Sequence, residues 1–159
     1  MKKKDVIQQF LLIGLFIIPV VNFAQPQSSF FSKKEARDEL YFAVEKYKKL
    51  MYSIPVNRLP KSVNENGEIL TSGSGWWCSG FYPGTLWYLY KFTIDNVLKT
   101  EAVSRTSLIE QEKWNKGTHD LGFMIFCSFG NGYKFTGESN YKPKLIDSKI
   151  QGGIFCHLI

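Results

Sequence analysis

The sequence predicts an all-α fold in which helical hairpins pack in two layers. Segments of 3.6-residue apolar periodicity recur along the chain, separated by stretches rich in glycine and proline. Amphipathic segments alternate with segments that are apolar on every side, as expected for inner helices lined by outer ones. No convincing run of alternating apolar and polar residues marks a strand.

The chain has 159 residues, enough for one domain. Residues 1–24 read as a secretory signal peptide. Lys2, Lys3 and Lys4 precede an apolar run from Phe10 to Val21, and Asn22-Phe23-Ala24 offers a small residue before Gln25. That run is shorter than the roughly 20 residues a spanning helix needs. The expected organisation is a leader at 1–24, a folded part at 25–147 and a divergent tail at 148–159.

The first helix is expected to open on a capping box, Ser32-Lys33-Lys34-Glu35. Ala36, Leu40, Val44, Tyr47, Met51 and Ile54 then make one apolar face, and Pro55 stops the helix. Pro55 to Gly75, with Pro60 and Asn66-Gly67 as breakers, reads as a long loop. In the second helix Pro83 suits the first turn, and Leu86 to Phe92 is apolar all round, which demands protein on every side. The third, about Asp95 to Lys113, is amphipathic and carries Val97, Ala102, Leu108 and Ile109. The fourth starts near Asp120, is apolar through Phe129 and is expected to end at Gly130-Asn131-Gly132. A fifth begins around Tyr141.

Charge and cysteines exclude more than they propose. The formal net charge is +6, and loss of the leader, with its three lysines and Asp5, leaves +4. The lysines are scattered or lie on one predicted helical face, without the aromatic interleaving of a single-stranded nucleic-acid groove. Cys78, Cys127 and Cys156 have no metal-ligand spacing, and the chain has only two histidines. Neither a metal nor a structural disulfide is expected.

Chemistry concentrates in Thr118-His119-Asp120-Leu121-Gly122-Phe123, where a carboxylate and an imidazole meet the start of an apolar helix. Helix amides and dipole would hold Asp120 in its charged form. The plain alternative is that Asp120 only caps its helix, so that Asp120→Ala would cost about 0.5–2 kcal/mol. A second cluster, Trp76-Trp77-Cys78-Ser79-Gly80-Phe81-Tyr82-Pro83-Gly84, offers aromatic faces of the kind sugar rings pack on.

Ser79 to Tyr90, Lys116 to Met124 and Phe129-Gly130-Asn131-Gly132-Tyr133 with Thr136-Gly137 together resemble, in order, the N-terminal part of glycoside hydrolase family 88. These are the unsaturated glucuronyl hydrolases, and the likeness runs from about Ser32 to Ile146. It implies an (α/α)6 barrel, of which five helices make only part, so the hairpins are expected to leave an apolar flank open. It also implies a substrate, an oligosaccharide released by a polysaccharide lyase and ending in a 4,5-unsaturated uronic acid.

By the same resemblance Asp120 is one of two catalytic aspartates and Trp77 stacks on the unsaturated ring; His119, beside Asp120, is expected to donate a hydrogen bond to a substrate carboxylate or ring hydroxyl. No cofactor or metal takes part, and no nucleic acid or membrane is a partner once the leader is cleaved. The setting is export to the periplasm, or secretion, in a Gram-negative bacterium. The chain departs from the family pattern at Trp76 and Cys78, where relatives carry aspartate and threonine, and again from Ser148 onward. The family's proton-donor aspartate lies beyond that point of divergence, and Asp147 does not match its motif. Three readings therefore stand: an inactive truncated glucuronyl hydrolase, a non-catalytic fragment or weak carbohydrate-binding module, and a relative of the unsaturated rhamnogalacturonyl hydrolases.

Overall fold

Helix α1, Lys33–Ser53, starts directly after Ser32. Its apolar stripe buries only in the second half. Ala36 and Leu40 stay exposed, whereas Val44 is buried and Tyr47, Leu50 and Met51 pack against the core. Ile54, just past the helix, is also buried. The structure, a computed structural model, describes residues 32–152 and the side chains of residues 32–147. The expected leader, Cys156 and the side chains of the divergent tail lie outside the described residues. The chain divides by contacts into Met1–Lys33 and Lys34–Ile159, so that all of the fold beyond the first residue of α1 belongs to the second unit.

The segment expected as a loop holds a β-hairpin. Strand β1, Leu59–Val63, pairs antiparallel with β2, Ile69–Ser72, in the register Leu59↔Ser72 and Val63↔Ile69. Its turn is built from side-chain chemistry. Asn64 Oδ1 accepts from the amides of Asn66 at 3.1 Å and Glu68 at 2.8 Å, and Gly67 takes φ +82°. Pro60, which has no amide proton, sits where the register slips between Pro60 and Ser62, a position at which a ladder tolerates proline. Arg58 extends the pairing by donating to the Thr71 hydroxyl and carbonyl at 3.3 and 3.1 Å.

Helix α2, Phe81–Thr93, has Pro83 in its first turn as expected, and ends at Ile94 in the left-handed region with φ +56°. Tyr82, Leu86, Trp87 and Leu89 are buried, but Tyr88 is 52% exposed. The helix is therefore not enclosed on every side. Its open flank is partly covered by Phe135, whose ring meets that of Tyr88 at 4.9 Å.

The expected third helix splits. Helix α3, Asn96–Ser107, is capped by Asp95, which accepts from the Val97 amide at 2.8 Å, and a separate 3-10 turn follows at Glu110–Trp114. Lys48 of α1 meets Asp95 at 2.7 Å, and this hydrogen bond, more than the Val97 amide, holds the Asp95 carboxyl below its usual range. Val97 is half exposed, while Leu98 and Ala102 face the core. Trp87 of α2 donates to the Thr106 hydroxyl across the α2–α3 contact at 3.0 Å.

Arg105 is the buried staple of this region, only 1% exposed. It pairs with Glu101 at 2.6 Å and donates to the carbonyls of Pro55 and Arg58, tying the end of α1 to α3.

The fourth helix runs on where the glycines were expected to stop it. Helix α4, Leu121–Ile125, continues through a π-helical turn, Phe126–Gly130, into α5, Asn131–Thr136. It ends at Gly137, φ +71°. Gly132 serves packing: a Cβ there would come within 3.2 Å of both the Trp87 and Tyr141 rings. The Asn131 amide donates to the Cys127 carbonyl at 2.9 Å, and the Ser128 hydroxyl to that of Met124 at 2.6 Å, satisfying backbone that the π-turn loosens. A short 3-10 turn, Ser139–Tyr141, leads into α6, Lys142–Gly152, close to the expected start of the fifth helix. Lys144 of α6 binds Glu110 at 2.8 Å.

Candidate active site

Two glycines one helical turn apart, Gly80 and Gly84, bring the sequence motifs together. A Cβ on Gly80 would collide with the Phe123 and Met124 carbonyls, and one on Gly84 would lie 2.6 Å from the Cys127 carbonyl. Only hydrogen at these positions lets the start of α2 lie directly on α4. The N-terminal ends of α2 and α4, with Trp77 before one and Asp120 before the other, thus share one edge of the fold.

An aromatic platform lines that edge. The Trp77 ring meets Phe81 at 6.0 Å and Phe123 at 6.2 Å, and Phe81 meets Phe123 at 5.7 Å, all edge-on. Trp77, Phe81 and Phe123 are 45%, 40% and 50% exposed, so this cluster is surface and not core. Phe81 and Phe123 complete this platform with Trp77, and the sequence does not single them out as candidate site residues. Their signal is their position, since Phe81 lies in the aromatic cluster and Phe123 closes the Asp120 motif.

Asp120 stands at the start of α4, but its side chain makes no capping hydrogen bond. The cap reading fails because Asp120 has φ −91° and ψ 10°, not the extended conformation from which a cap side chain reaches the amides. Its backbone carbonyl, not its carboxylate, accepts from the Phe123 amide at 2.9 Å. The Thr118 hydroxyl accepts the Asp120 amide proton at 3.0 Å and shapes the approach loop. The carboxylate side chain is 26% exposed, with His119 Nε2 3.7 Å from Oδ2 and the imidazole 96% exposed.

Cys78 and Cys127 are free thiols. Burial pushes both up from the usual thiol range, and at Cys78 the charge of Asp120 adds to it.

The arrangement offers flat apolar faces, a carboxylate free of backbone duty and an exposed imidazole. Such a surface can stack a sugar ring and present a charged oxygen to it. Glu112 adds no second carboxylate here, since it is buried and accepts from Ser74 at 2.6 Å and Asn115 at 2.7 Å. Asp147 lies 3.9 Å from Lys113. Among the described residues no group of three or more His, Cys, Asp or Glu is placed to hold a metal ion, and no helix is long and apolar enough to cross a membrane.

Comparison with known proteins names this architecture. A protein of Formosa agariphila described as an unsaturated glucuronyl hydrolase is 37% identical over 123 residues, covering 74% of this chain and 31% of its own length. The chain is related to the unsaturated glucuronyl hydrolases. A crystal structure of an unsaturated glucuronyl hydrolase specific for heparin superposes with a TM-score of 0.69 at 34% identity, over 73% of this chain and 31% of the hydrolase. The hydrolase of Streptococcus agalactiae, in a variant complexed with dGlcA-GalNAc6S, matches in fold with a TM-score of 0.59 at 24% identity, over 74% of this chain and 33% of its own. No family model matches. The chain therefore spans about a third of the hydrolases it matches, and its helices form part of their helical barrel.

Proposed function

We propose that residues 32–147 form the portion of an unsaturated glucuronyl hydrolase that grips the 4,5-unsaturated uronic acid ending an oligosaccharide. The substrate class is the product of a polysaccharide lyase acting on a glycosaminoglycan such as heparin or chondroitin. Trp77, with Phe81 and Phe123, receives a face of the unsaturated ring, and His119 donates a hydrogen bond to it. Asp120 is one of the two catalytic carboxylates, and the protein acts after export to the periplasm.

The reaction is hydration of a vinyl ether. A carboxylic acid delivers a proton to C4, leaving positive charge shared by C5 and the ring oxygen. Water adds at C5 and loses its proton. The hemiketal then opens to a C5 ketone, and the freed hemiacetal at C1 releases the neighbouring sugar. Asp120, ionised, stabilises the cationic stage and, as a like charge, raises the pKa of the donor carboxyl. The donor lies outside the site formed here, so residues 1–159 alone bind sugar without turning it over.

The observation that carries this reading is the Asp120 carboxylate, free of its helix amides and followed in the same motif by Phe123, whose ring meets Trp77 at 6.2 Å. The test is a graft. Residues 32–147 replace the matching part of the heparin-specific hydrolase, and loss of vinyl-ether absorbance reports turnover of an unsaturated disaccharide. Turnover is expected, falling by about 10²-fold or more with Asp120→Asn, the range for removing one electrostatic stabiliser of the transition state. An active graft indifferent to Asp120→Asn defeats the catalytic assignment.

A further inference from the structure

Glu112, in the 3-10 turn Glu110–Trp114, is buried, and its two carboxylate oxygens are held from two different loops. Oε1 accepts from the Ser74 hydroxyl at 2.6 Å, and Oε2 accepts from the Asn115 side-chain amide at 2.7 Å. Asn115 passes the connection on, its Oδ1 accepting from the Gly117 amide at 2.8 Å. On the other side Gly75 packs against the carboxylate, where a Cβ would lie 3.8 and 3.9 Å from the two oxygens.

Each end of this bridge leads into one motif of the candidate site. Ser74-Gly75 runs directly into Trp76-Trp77, and Gly117 runs directly into Thr118-His119-Asp120. The Thr118 hydroxyl accepts from the Asp120 amide at 3.0 Å, so side-chain bonds to the backbone hold the path from Asn115 to Asp120 in two successive steps. Beyond the bridge the two motifs meet through the Trp77 and Phe123 rings, edge-on at 6.2 Å and about half exposed. A half-exposed ring contact does not by itself fix a spacing. Buried, charge-assisted hydrogen bonds have the directionality to do so.

We propose that Glu112 is a positioning residue, which touches no sugar and sets the Trp77 platform and the Asp120 motif at their working separation. The proposal rests on the reading of the Asp120 edge as the site of the terminal sugar. The residue type fits the task. A carboxylate is an acceptor at both oxygens and can take a donor from each loop at once, whereas an amide of the same shape turns a donor toward one of them. With one arm cut, the site is assembled in only a fraction of the molecules, and the apparent affinity falls by that fraction.

The test exchanges donor and acceptor across the bridge in the full chain. Glu112→Gln alone sets an amide against the Asn115 amide, and Asn115→Asp alone sets two carboxylates face to face. Combined, they restore the bridge with its polarity reversed, the introduced glutamine donating to the introduced aspartate, which still accepts from the Gly117 amide. Each protein is titrated calorimetrically with an unsaturated heparin disaccharide, at a temperature where far-ultraviolet circular dichroism shows it folded. Near-ultraviolet circular dichroism reads the tryptophans. Each single substitution is expected to weaken binding about tenfold, the worth of one hydrogen bond to a charged group, and to alter the tryptophan signal. The double variant is expected to recover both. Single variants that lose stability but bind as wild type does, or a double variant that recovers no affinity, overturn the proposal. If the single variants do not fold, Ser74→Ala takes their place, since it cuts one arm and leaves the bond to Asn115. Weakened binding by Ser74→Ala then supports the proposal, and wild-type binding overturns it. If wild type binds no disaccharide, the reading of the Asp120 edge falls and the tryptophan signal decides. A change in the single variants that the double variant reverses keeps Glu112 as the tie between the loops, and an unchanged signal overturns it.

Discussion

Glu112 and Asp120 lie in the same connection between α3 and α4, yet one carboxylate is fully employed and the other is left free. Glu112 is 8% exposed, and both its oxygens accept hydrogen bonds, from Ser74 and Asn115, so it fastens the loop before Trp76 to the 3-10 turn. Asp120 has an exposed imidazole at 3.7 Å and no bond to its own helix. A buried charge without partners is costly, so buried carboxylates are tied down. A carboxylate only partly buried and left without a hydrogen bond to its helix is a group the helix does not need. The Arg105 staple behaves as Glu112 does, and the platform of Trp77, Phe81 and Phe123 behaves as Asp120 does. Structural polar groups and available ones are thereby sorted into two regions.

The largest effect that tests this sorting is at Arg105. Arg105→Met keeps the aliphatic stem but strands Glu101 and the carbonyls of Pro55 and Arg58. Removing one partner of a buried ion pair costs about 3–5 kcal/mol. Urea unfolding followed by far-ultraviolet circular dichroism should show it. A loss under about 1 kcal/mol, the worth of a surface pair, would mean that the staple is replaceable and the contrast with Asp120 is false.

Gly80→Ala comes next. The atoms in its way are the backbone carbonyls of Phe123 and Met124, which cannot rotate aside as a side chain can. Overpacking of this kind costs about 1–3 kcal/mol. Because it also pushes α2 off α4, the emission of Trp77 should change along with the urea midpoint. A normal midpoint with unchanged emission would show that the two motifs are not held together by this contact.

How far the sequence disclosed this arrangement depends on the range of the interactions. Helices with local signals were legible: α1 after Ser32, Pro83 in the first turn of α2, and α6 near Tyr141. The hairpin was not, because Pro60 and the polar pair Lys61-Ser62 erase the alternation that marks a strand, and its stability comes from the turn at Asn64. Gly130 and Gly132 looked like a helix end, since nothing local reveals that Trp87 and Tyr141 need the space at Gly132. Arg105 carries no local signal, because its carbonyl partners lie far back at Pro55 and Arg58. At the edge of α2 and α4, Asp120, His119 and Trp77 were legible as motif residues. The partnership of Phe81 with Phe123 appears only once Gly80 has closed the gap.

A smaller effect separates surface pairs from both regions. Lys144 donates to Glu110, and this hydrogen bond, with the Lys144 and Lys113 charges, holds the Glu110 carboxyl below its usual range. A carboxylate depressed in the folded state contributes stability above its unfolded pKa, and that contribution is lost as pH falls through the folded value. Stability should therefore fall on acidification from about pH 4.5 downward, the ordinary glutamate range. Lys144→Met should lower stability at pH 7 by about 0.2–1 kcal/mol, as for a partly exposed pair, and by progressively less as pH falls through the glutamate range, so that the two stability curves converge in acid. A difference that persists undiminished into acid would remove Glu110 from the account.

The smallest expected effect is the most discriminating. If Asp120 capped α4, Asp120→Ala would cost about 0.5–2 kcal/mol, and Asp120→Asn almost nothing. With no side-chain bond to the helix amides, neither substitution removes a hydrogen bond from the fold, and both should stay within about 0.5 kcal/mol of wild type, as for surface changes away from special features. A stability loss at Asp120→Ala that Asp120→Asn rescues would restore the cap and return Asp120 to the structural class of Glu112. Equal stability in both variants, combined with loss of turnover in the grafted hydrolase, assigns the residue to chemistry alone. The two substitutions matter together because alanine deletes shape and charge, whereas asparagine deletes only charge.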